Sequence, residues 1–392
     1  MKIIFDKNEL IDAMTPALGA VSDKNTISAI EGILFTTAGD DACILSAYDL
    51  EKGYRTRVKA RVEEEGSFII NAVKLYRMVR MMPGPDVTIE VGQRFMTRVQ
   101  SGVAQYSLSA MPGADFPSLP DLEGAGQVVM RQATLKKMLA QTVHAIAAGT
   151  AISQRPILSG AYFKLSDGVF TMVTCDGNRM ALRERESGFT SDGQEYSFIV
   201  PGKTLGELQR ILASDGEDEV SLTFGRKHVI FHLGESIFFS RLIDGDYIDY
   251  RRVTPKNNRI KVILDRQDLI ASLERVSLVT DDKSVGQLNG FVKCTFEGDT
   301  LKVSSTSSVS SINDEMEIEK TGDDIVIGLN CRYFLDALRS ISDEKICIML
   351  GTPLTSIVIE KDDTPAEESD ENGKKEDEGT YLYMVCPVKM KD

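Results

Sequence analysis

The sequence predicts an α+β fold made of three tandem copies of one domain, each with two helices and several antiparallel strands. Two observations predict it. A strand-then-helix segment occurs three times along the 392 residues, and a second strand-then-helix segment follows each of the three. The matching leucines Leu10, Leu135 and Leu269 lie 125 and 134 residues apart. A period this long is typical of tandem domains, because the repeats of a solenoid are much shorter.

The first segment of each copy begins with a short β-rich run and then changes to helical periodicity. Apolar residues recur at three- or four-residue spacing after Ile3–Phe5, Val128–Met130 and Val262–Leu264, which is the spacing of one buried helix face. Asp6 and Asp265 stand where the first turn of a helix needs a side-chain acceptor. We therefore predict a strand followed by a helix at all three places.

The second segment of each copy is a strand, a turn and an amphipathic helix, at Ser67–Met82, Ser197–Leu212 and Ile325–Ile341. Two or three further runs with strand character follow each of these helices. Links rich in proline and glycine, at Pro117–Gly126 and Thr254–Arg259, separate the copies. The predicted domains are therefore residues 1–122, 127–254 and 259–392.

The chain is acidic, with a formal net charge of −14. Six units of that charge lie in the low-complexity segment Lys361–Gly379, which holds nine acidic residues and three lysines, so the rest carries −8. The segment has the composition of disorder, and we predict a mobile loop on the exterior. An acidic balance argues against tight electrostatic binding to nucleic acid, so a DNA-binding function needs a separate explanation.

The cysteine pattern and the amino terminus indicate a cytosolic protein. The six cysteines are scattered and form no C-x-x-C pair, which excludes a disulfide framework or a clustered metal site. We expect reduced, mostly buried thiols. Residues Met1–Lys7 become charged too early for a secretion signal, and no apolar stretch approaches the ~20 residues of a membrane helix.

The sequence lacks a catalytic apparatus, so we predict neither an enzyme nor a cofactor or metal. Its three histidines are His144, His228 and His232, and none belongs to a catalytic or metal-binding pattern. A partial phosphate-loop motif occurs at Gly202–Thr204, but the glycine that the motif needs five residues earlier is Ser197. A nucleotide-hydrolysing enzyme remains an alternative on this partial motif alone.

Three local strings, taken with the three copies, closely resemble the β subunit of bacterial DNA polymerase III, the sliding clamp family. They are MPGADFP at Met111–Pro117, TCDGNRMA at Thr174–Ala181 and DYIDYRRV at Asp246–Val253. The resemblance covers the chain from Met1 to Met390 apart from the acidic segment. It implies a head-to-tail homodimer whose six domains form a closed ring around double-stranded DNA. Such a ring slides along DNA without sequence preference and keeps the replicative polymerase in place.

The ring architecture implies that basic groups on inner helices face the phosphates, while acidic outer surfaces oppose random sticking. Lys74, Lys203 and Arg332 recur near the start of the second helix of each copy, where basic side chains suit phosphate. Further basic residues start the first helices: Lys7, Arg131, Lys136, Lys137 and Arg266. Family positions that touch DNA on loops correspond to Lys24, Gln154 and Arg155.

The resemblance also implies a pocket for short peptide motifs of the polymerase catalytic subunit, the clamp loader, other polymerases and repair proteins. Apolar walls with a few polar groups suit buried hydrophobic anchors. The corresponding residues are Leu158, Cys175, Gly177, Asn178, Arg179, Met180, Ile248, Arg252, Val253, Met384, Val385, Cys386, Pro387, Val388 and Lys389. Several depart from the usual family pattern, namely Cys175, Asn178, Met180, Ile248, Cys386 and Val388, so the preferred peptide is expected to differ.

By the same resemblance, the dimer seam joins an edge strand of the first copy to the third copy of the partner. Tyr106 and Leu108 are expected to face Leu278 and Val279, and pairing two edges in a closed dimer removes their exposure. The alternative function is a repeat scaffold that binds only proteins and forms no ring on DNA.

Overall fold

The computed structural model describes residues 1–22, 27–120, 124, 126–149, 152, 154–187, 195–280, 291–307, 309–362 and 379–390. Two compact units are present, Met1–Lys136 with Lys203–Leu242 and Lys137–Gly202 with Ile243–Asp392. The division falls inside the central copy, which therefore contributes to both units. Lys24 and residues 363–378 of the acidic segment lie outside the described residues, as do residues 391–392.

Both units combine helices with antiparallel sheets, which confirms the predicted α+β class. The helices are α1 (Lys7–Ala17), α2 (Ala72–Arg80), α3 (Gln132–Thr142), α4 (Gly202–Ile211), α5 (Tyr250–Val253), α6 (Arg266–Thr280) and α7 (Cys331–Arg339). The strands are β1 (Lys2–Asp6), β2 (Gly32–Thr37), β3 (Ala42–Tyr48), β4 (Lys52–Lys59), β5 (Arg61–Glu64), β6 (Ser67–Asn71), β7 (Asp86–Val91), β8 (Met96–Ser101), β9 (Ala104–Ser109), β10 (Met111–Pro112), β11 (Gly126–Arg131), β12 (Gly160–Ser166), β13 (Val169–Cys175), β14 (Arg179–Glu186), β15 (Tyr196–Pro201), β16 (Glu219–Phe224), β17 (His228–Leu233), β18 (Ser236–Arg241), β19 (Ile260–Asp265), β20 (Phe291–Glu297), β21 (Thr300–Thr306), β22 (Ser311–Glu317), β23 (Glu319–Thr321), β24 (Ile325–Asn330), β25 (Lys345–Leu350), β26 (Ile357–Lys361) and β27 (Thr380–Val385).

All six predicted strand–helix segments form. The first segments of the three copies are β1–α1, β11–α3 and β19–α6, and the second segments are β6–α2, β15–α4 and β24–α7. The predicted caps are also present. Asp6 Oδ1 accepts from the backbone N–H of Asn8 at 2.8 Å, and Asp265 Oδ1 accepts from that of Asp268 at 2.8 Å. Each carboxylate satisfies a helix N–H that has no partner within its helix.

Two helix N-caps were not predicted from the sequence. Asn71 Oδ1 accepts from the N–H of Lys74 at 3.1 Å, and Asn330 Oδ1 accepts from that of Tyr333 at 3.1 Å. They occupy the same place in two copies, immediately before α2 and α7. The repeat therefore extends to the residue that starts the second helix.

The first unit contains a five-stranded and a nine-stranded sheet. Strand orders are β5-β1-β7-β8-β9 and β10-β6-β2-β3-β4-β18-β17-β16-β11. The larger sheet passes from the amino-terminal copy into the central copy through β4 and β18, which pair antiparallel from Lys52 with Ser240 to Thr56 with Ser236. Its core includes the stacked rings of Phe35 and Phe68, whose centroids lie 5.1 Å apart.

The second unit repeats this plan with a nine-stranded and a four-stranded sheet. Strand orders are β15-β12-β13-β14-β27-β26-β25-β19-β23 and β22-β21-β20-β24. Here the large sheet passes from the central copy into the third copy through β14 and β27. The helices α6 and α7 pack together, and Leu273, Phe334 and Leu338 are fully buried in the core.

Candidate functional site

The hairpin between β13 and β14 has a turn that its sequence specifies. Asp176 Oδ1 accepts from the N–H of Asn178 at 2.8 Å and from that of Arg179 at 3.1 Å. Gly177 takes a φ of +95°, which glycine adopts without the strain that a side chain would cause. The turn therefore fixes where β13 ends, at Cys175, and where β14 begins, at Arg179.

Four of the predicted pocket residues form one apolar cluster beside this hairpin. Leu158, Cys175, Met180 and Met384 belong to it, and Ile248 packs against it. Cys175 pairs with Met180, and Met180 pairs with Met384, so their side chains lie on one face of the sheet. The fold thus brings together residues that are far apart in the sequence.

The cluster is closed in the peptide-free chain. Leu158, Met180 and Met384 are only 2%, 1% and 6% exposed. Solvent reaches the surrounding rim instead, where Gly177, Asn178, Arg252, Val253 and Lys389 are exposed. The cluster can open only if its side chains move, and methionine is well suited to this because it is unbranched and flexible.

The carboxy-terminal run is held beside the cluster by backbone hydrogen bonds. Cys386 N–H donates to the carbonyl of Asn178 at 2.8 Å, and Val388 N–H donates to that of Gly328 at 2.8 Å. Pro387 forms an isolated bridge with Leu329. Cys386, Pro387 and Val388 are partly buried. The run therefore spans from the hairpin turn to β24, next to the apolar cluster.

Aromatic rings support the cluster from within the second unit. The rings of Tyr162 and Tyr247 stack with centroids 5.1 Å apart, and Tyr250 lies 6.2 Å from Tyr162. Burial raises the pKa values of the Tyr247 hydroxyl and of the Cys175 thiol. Because a protonated thiol is a weak nucleophile, this site is suited to binding rather than to covalent chemistry.

Two predicted pocket residues turn their side chains away from the apolar cluster. Arg179 and Val385 pair across β14 and β27, on the face opposite to Met180 and Met384. Val385 belongs to the core of the second unit. Arg179 is 9% exposed and directs its guanidinium to Asp176 and Asp336. These two residues contribute backbone, but not side chains, to the cluster.

The predicted DNA-facing cations of the second helices are all exposed, but their positions differ slightly. Lys203 and Arg332 are the second residues of α4 and α7, whereas Lys74 is the third residue of α2. A basic residue recurs more regularly at the other end of these helices, and it was not predicted from the sequence. The ninth residue of each helix is an exposed arginine, namely Arg80 in α2, Arg210 in α4 and Arg339 in α7.

The sixth residue distinguishes the three helices electrostatically. It is Arg77 in α2, but Glu207 in α4 and Asp336 in α7. Glu207 pairs with Arg210 at 2.9 Å, and Asp336 lies 4.0 Å from Arg332. All charged residues of α2 are therefore basic, while the other two helices neutralise part of their charge internally.

Three cations proposed for phosphate contact donate hydrogen bonds to backbone carbonyls that follow the second helix of their copy. Lys7 Nζ donates to the carbonyl of Met82 at 3.2 Å, Lys136 Nζ to that of Leu212 at 2.8 Å, and Arg266 Nε to that of Asp343 at 2.6 Å. In each copy the acceptor follows the second helix. Met82 and Leu212 lie within two residues of the ends of α2 and α4, where unpaired carbonyls attract cations, whereas Asp343 lies four residues beyond α7. Each of the three side chains ties the start of the first helix to the segment that follows the second helix.

Three more of the predicted DNA-facing residues lie near the first helix or in a loop. Arg131 pairs with Glu217 at 3.1 Å. Gln154 and Arg155 are exposed and directly precede the helical turn Pro156–Ser159.

The partial phosphate-loop motif is used structurally. Lys203 and Thr204 lie in the first turn of α4. Thr204 is buried, and its hydroxyl is 2.7 Å from that of Ser240. Because the Thr204 hydroxyl is hydrogen-bonded within the core, the partial motif no longer supports a nucleotide-hydrolysing enzyme.

The predicted seam residues lie at surface positions of the two units. β9 is an edge strand of its sheet and exposes Tyr106, with Leu108 partly buried. On α6, Leu278 is 77% exposed and Val279 is partly buried. As an edge strand, β9 leaves a row of backbone N–H and C=O groups available for pairing with another chain.

Two kinds of feature are absent from the described residues. None of their helices combines the length and apolar character needed to span a membrane. Within the same residues, no group of three or more His, Cys, Asp or Glu side chains is arranged to hold a metal ion. The cysteines are thiols, with five buried and Cys386 partly buried, as predicted.

Comparison with known proteins gives one family. Residues 1–120 match the amino-terminal domain of the DNA polymerase III beta subunit, residues 129–249 its central domain and residues 251–370 its carboxy-terminal domain. The Beta sliding clamp of Bacillus subtilis is 26% identical over 99% of this chain and 100% of its own length. That of Proteus mirabilis is 29% identical over 92% of this chain and 96% of its own.

Comparison with solved structures gives the same family. The crystal structure of the DNA polymerase sliding clamp from Bacillus subtilis superposes with a TM-score of 0.90 at 25% identity, and that of a DNA polymerase III beta subunit from Eubacterium rectale with 0.89 at 26%; each covers 100% of both chains. The chain therefore belongs to the family of bacterial DNA polymerase III beta subunits, the beta sliding clamps.

Proposed function

We propose that this chain is a DNA sliding clamp and processivity factor, which acts as a homodimeric ring around duplex DNA. The observation that carries the proposal is the match of all three copies, in order, to the three domains of one clamp family. The protein has no catalytic role in this function. It tethers the replicative polymerase, the clamp loader and repair proteins, which carry the chemistry.

Basic helix faces provide the contact with DNA in this proposal. The exposed cations of α2, α4 and α7 are Lys74, Arg77, Arg80, Lys203, Arg210, Arg332 and Arg339. Closure of the ring retains the DNA topologically, so these contacts only need to be weak. This explains how a chain with a net charge of −14 stays on an anionic polymer, since strong phosphate binding would require a basic excess and would hinder sliding.

The apolar cluster of Leu158, Cys175, Met180 and Met384 is the proposed docking pocket for partner peptides. Its walls are apolar, and the rim offers the exposed polar groups of Asn178 and Arg252. Such a site suits one or two hydrophobic anchors with a few orienting hydrogen bonds. The anchors displace the side chains of Met180 and Met384, which close the cluster in the absence of a peptide.

A topological assay tests the ring. The protein is loaded by its matching clamp loader onto nicked circular plasmid, and retention is measured before and after one cut that linearises the DNA. Salt-resistant retention on the circle, lost on linearisation, supports a sliding clamp. Equal retention on both forms, falling steeply with salt, would mean ordinary phosphate binding. No retention, when a control clamp loads, would favour the scaffold that binds only proteins.

A titration tests the pocket. A fluorescent peptide carrying the clamp-binding motif of the replicative polymerase is titrated with wild-type protein and with Met180→Ala. We expect weaker binding by the variant while the dimer persists in gel filtration. Met96→Ala removes a methionine that is 55% exposed and serves as the control, with unchanged affinity. Unchanged affinity of Met180→Ala would contradict the pocket assignment.

A further inference from the structure

The guanidinium of Arg179 is the centre of a network that joins three segments of the second unit, namely the β13–β14 hairpin, α7 and the turn at His144. Its Nε donates to Asp176 Oδ2 at 3.0 Å, and one terminal nitrogen donates to Asp336 Oδ2 at 2.6 Å. The other terminal nitrogen donates to the carbonyl of His144. The ring of Tyr333 lies beneath the guanidinium, 4.3 Å from its carbon. A planar group with five fixed donors suits such a junction.

This network bears directly on the turn at the proposed pocket. Asp176 uses one carboxylate oxygen to hold the N–H groups of Asn178 and Arg179, and the other to hold the Arg179 side chain. The next residue, Met180, closes the apolar cluster. Because the carbonyl of Asn178 also binds Cys386, the position of the turn sets the position of both pocket walls.

Asp336 provides the anchor for this network. It lies on α7, whose start is capped by Asn330 and whose inner face is buried through Phe334 and Leu338. Its carboxylate is 25% exposed and that of Asp176 is 11% exposed, so the pairs with Arg179 are largely shielded from water. Removing one partner of such a pair is costly, because it leaves a shielded charge uncompensated.

We propose that Asp336 is a positioning residue of the peptide pocket, which acts through Arg179 to hold the Asp176–Arg179 turn in its binding geometry. The inference rests on the proposed peptide-binding function. Asp336 itself is not part of the apolar cluster, and its side chain meets Arg179 on the face of the sheet opposite to Met180. It therefore affects the peptide only through the shape of the turn.

The test compares two carboxylates in similar environments. Asp336→Asn removes the anchor, while Asp314→Asn removes a carboxylate that is 20% exposed and pairs with Arg275 at 2.6 Å in the same unit. Peptide affinity is measured by anisotropy with the polymerase-motif peptide, and folding by thermal unfolding. We expect Asp336→Asn to bind on the order of tenfold more weakly, the equivalent of one net hydrogen bond, and Asp314→Asn to bind like wild type.

Two further variants separate positioning from general destabilisation. Asp336→Glu keeps the charge and is expected to recover part of the affinity. In an Arg179→Met background, Asp336→Asn is expected to change the peptide affinity no further, because the residue through which it acts is gone. If Asp336→Asn is unfolded at the assay temperature, the glutamate variant with and without Arg179→Met carries the same test.

The outcomes distinguish the two levels of the proposal. If wild type binds the peptide and Asp336→Asn binds equally well, the positioning role is wrong while the pocket stands. An equal loss in Asp336→Asn with and without Arg179 would also contradict it. If wild type itself does not bind the peptide, the proposed pocket fails and this inference fails with it.

Discussion

Acidification is expected to destabilise the second unit through His144. The imidazole is partly buried, its Nδ1 lies 3.2 Å from the hydroxyl of Ser340, and its ring lies 5.9 Å from that of Tyr383. Burial and the nearby guanidinium of Arg179 lower the pKa of His144 from 6.5 to about 4, against the opposing carboxylates of Asp336 and Asp176.

The sign and size of the effect follow from this pKa. As the pH falls, His144 is protonated about 2.5 pH units lower in the folded chain than in the unfolded chain. Its contribution to the free energy of unfolding is therefore present above pH 6.5 and is lost as the pH falls toward 4. Each unit of pKa difference corresponds to roughly 1.4 kcal/mol, so the full loss is roughly 3 kcal/mol. Between pH 7.5 and 5.0, before most carboxylates titrate, His144 should account for about 2 kcal/mol.

Urea unfolding at several pH values measures this contribution. The chain has no tryptophan but 11 tyrosines, so tyrosine fluorescence and circular dichroism report the transition. We expect His144→Gln to lose about 2 kcal/mol less than wild type between pH 7.5 and 5.0. His232→Gln, which leaves His144 in place, is the control and should follow wild type. If His144→Gln and wild type lose the same free energy over this range, the reasoning is refuted.

Three further predictions concern the seam, the basic faces and a helix cap. Leu278→Asp places a charge in the proposed apolar seam and should dissociate the dimer in gel filtration. The control is Leu354→Asp, which should leave the dimer intact, since Leu354 is 74% exposed and Leu278 is 77% exposed. If Leu278→Asp is still a dimer, the proposed seam is wrong. Arg80→Glu should reduce retention on circular DNA more than Arg210→Glu, because Arg210 is already paired with a carboxylate; the reverse order would count against this assignment. Asn330→Ala removes the cap of α7 and should lower the free energy of unfolding by about 1 kcal/mol in urea titration, with an unchanged value as the contrary result.

The sequence alone predicted the local structure well, because that structure depends on short-range patterns. The spacing of apolar residues identified all six strand–helix segments, and Asp6 and Asp265 were recognised as caps. Asn71 and Asn330 could have been found by the same rule, since both directly precede an apolar-periodic run. Long-range pairings such as β14 with β27 could not be predicted, because strand composition does not specify a partner so far along the chain.

The members of the candidate site were predicted from the sequence, but their long-range contacts were not. The pocket residues came from family resemblance, since buried apolar residues carry no signal of their own. Alternation along β14 would have placed Arg179 opposite Met180, yet its partner Asp336 lies 157 residues away and appears only in the fold. For the same reason, Lys7, Lys136 and Arg266 looked like phosphate ligands until their carbonyl acceptors were seen.

During synthesis, β14 emerges long before the strand that covers its edge. β27 begins 194 residues after β14 ends, and at 5–20 residues per second the ribosome needs roughly 10 to 40 s to make that stretch. For this time the hydrogen-bonding groups of β14 are open to wrong partners, including strands of other nascent chains. Met180 lies on the same strand, so a chain that stalls before β27 would display an incomplete apolar cluster to chaperones.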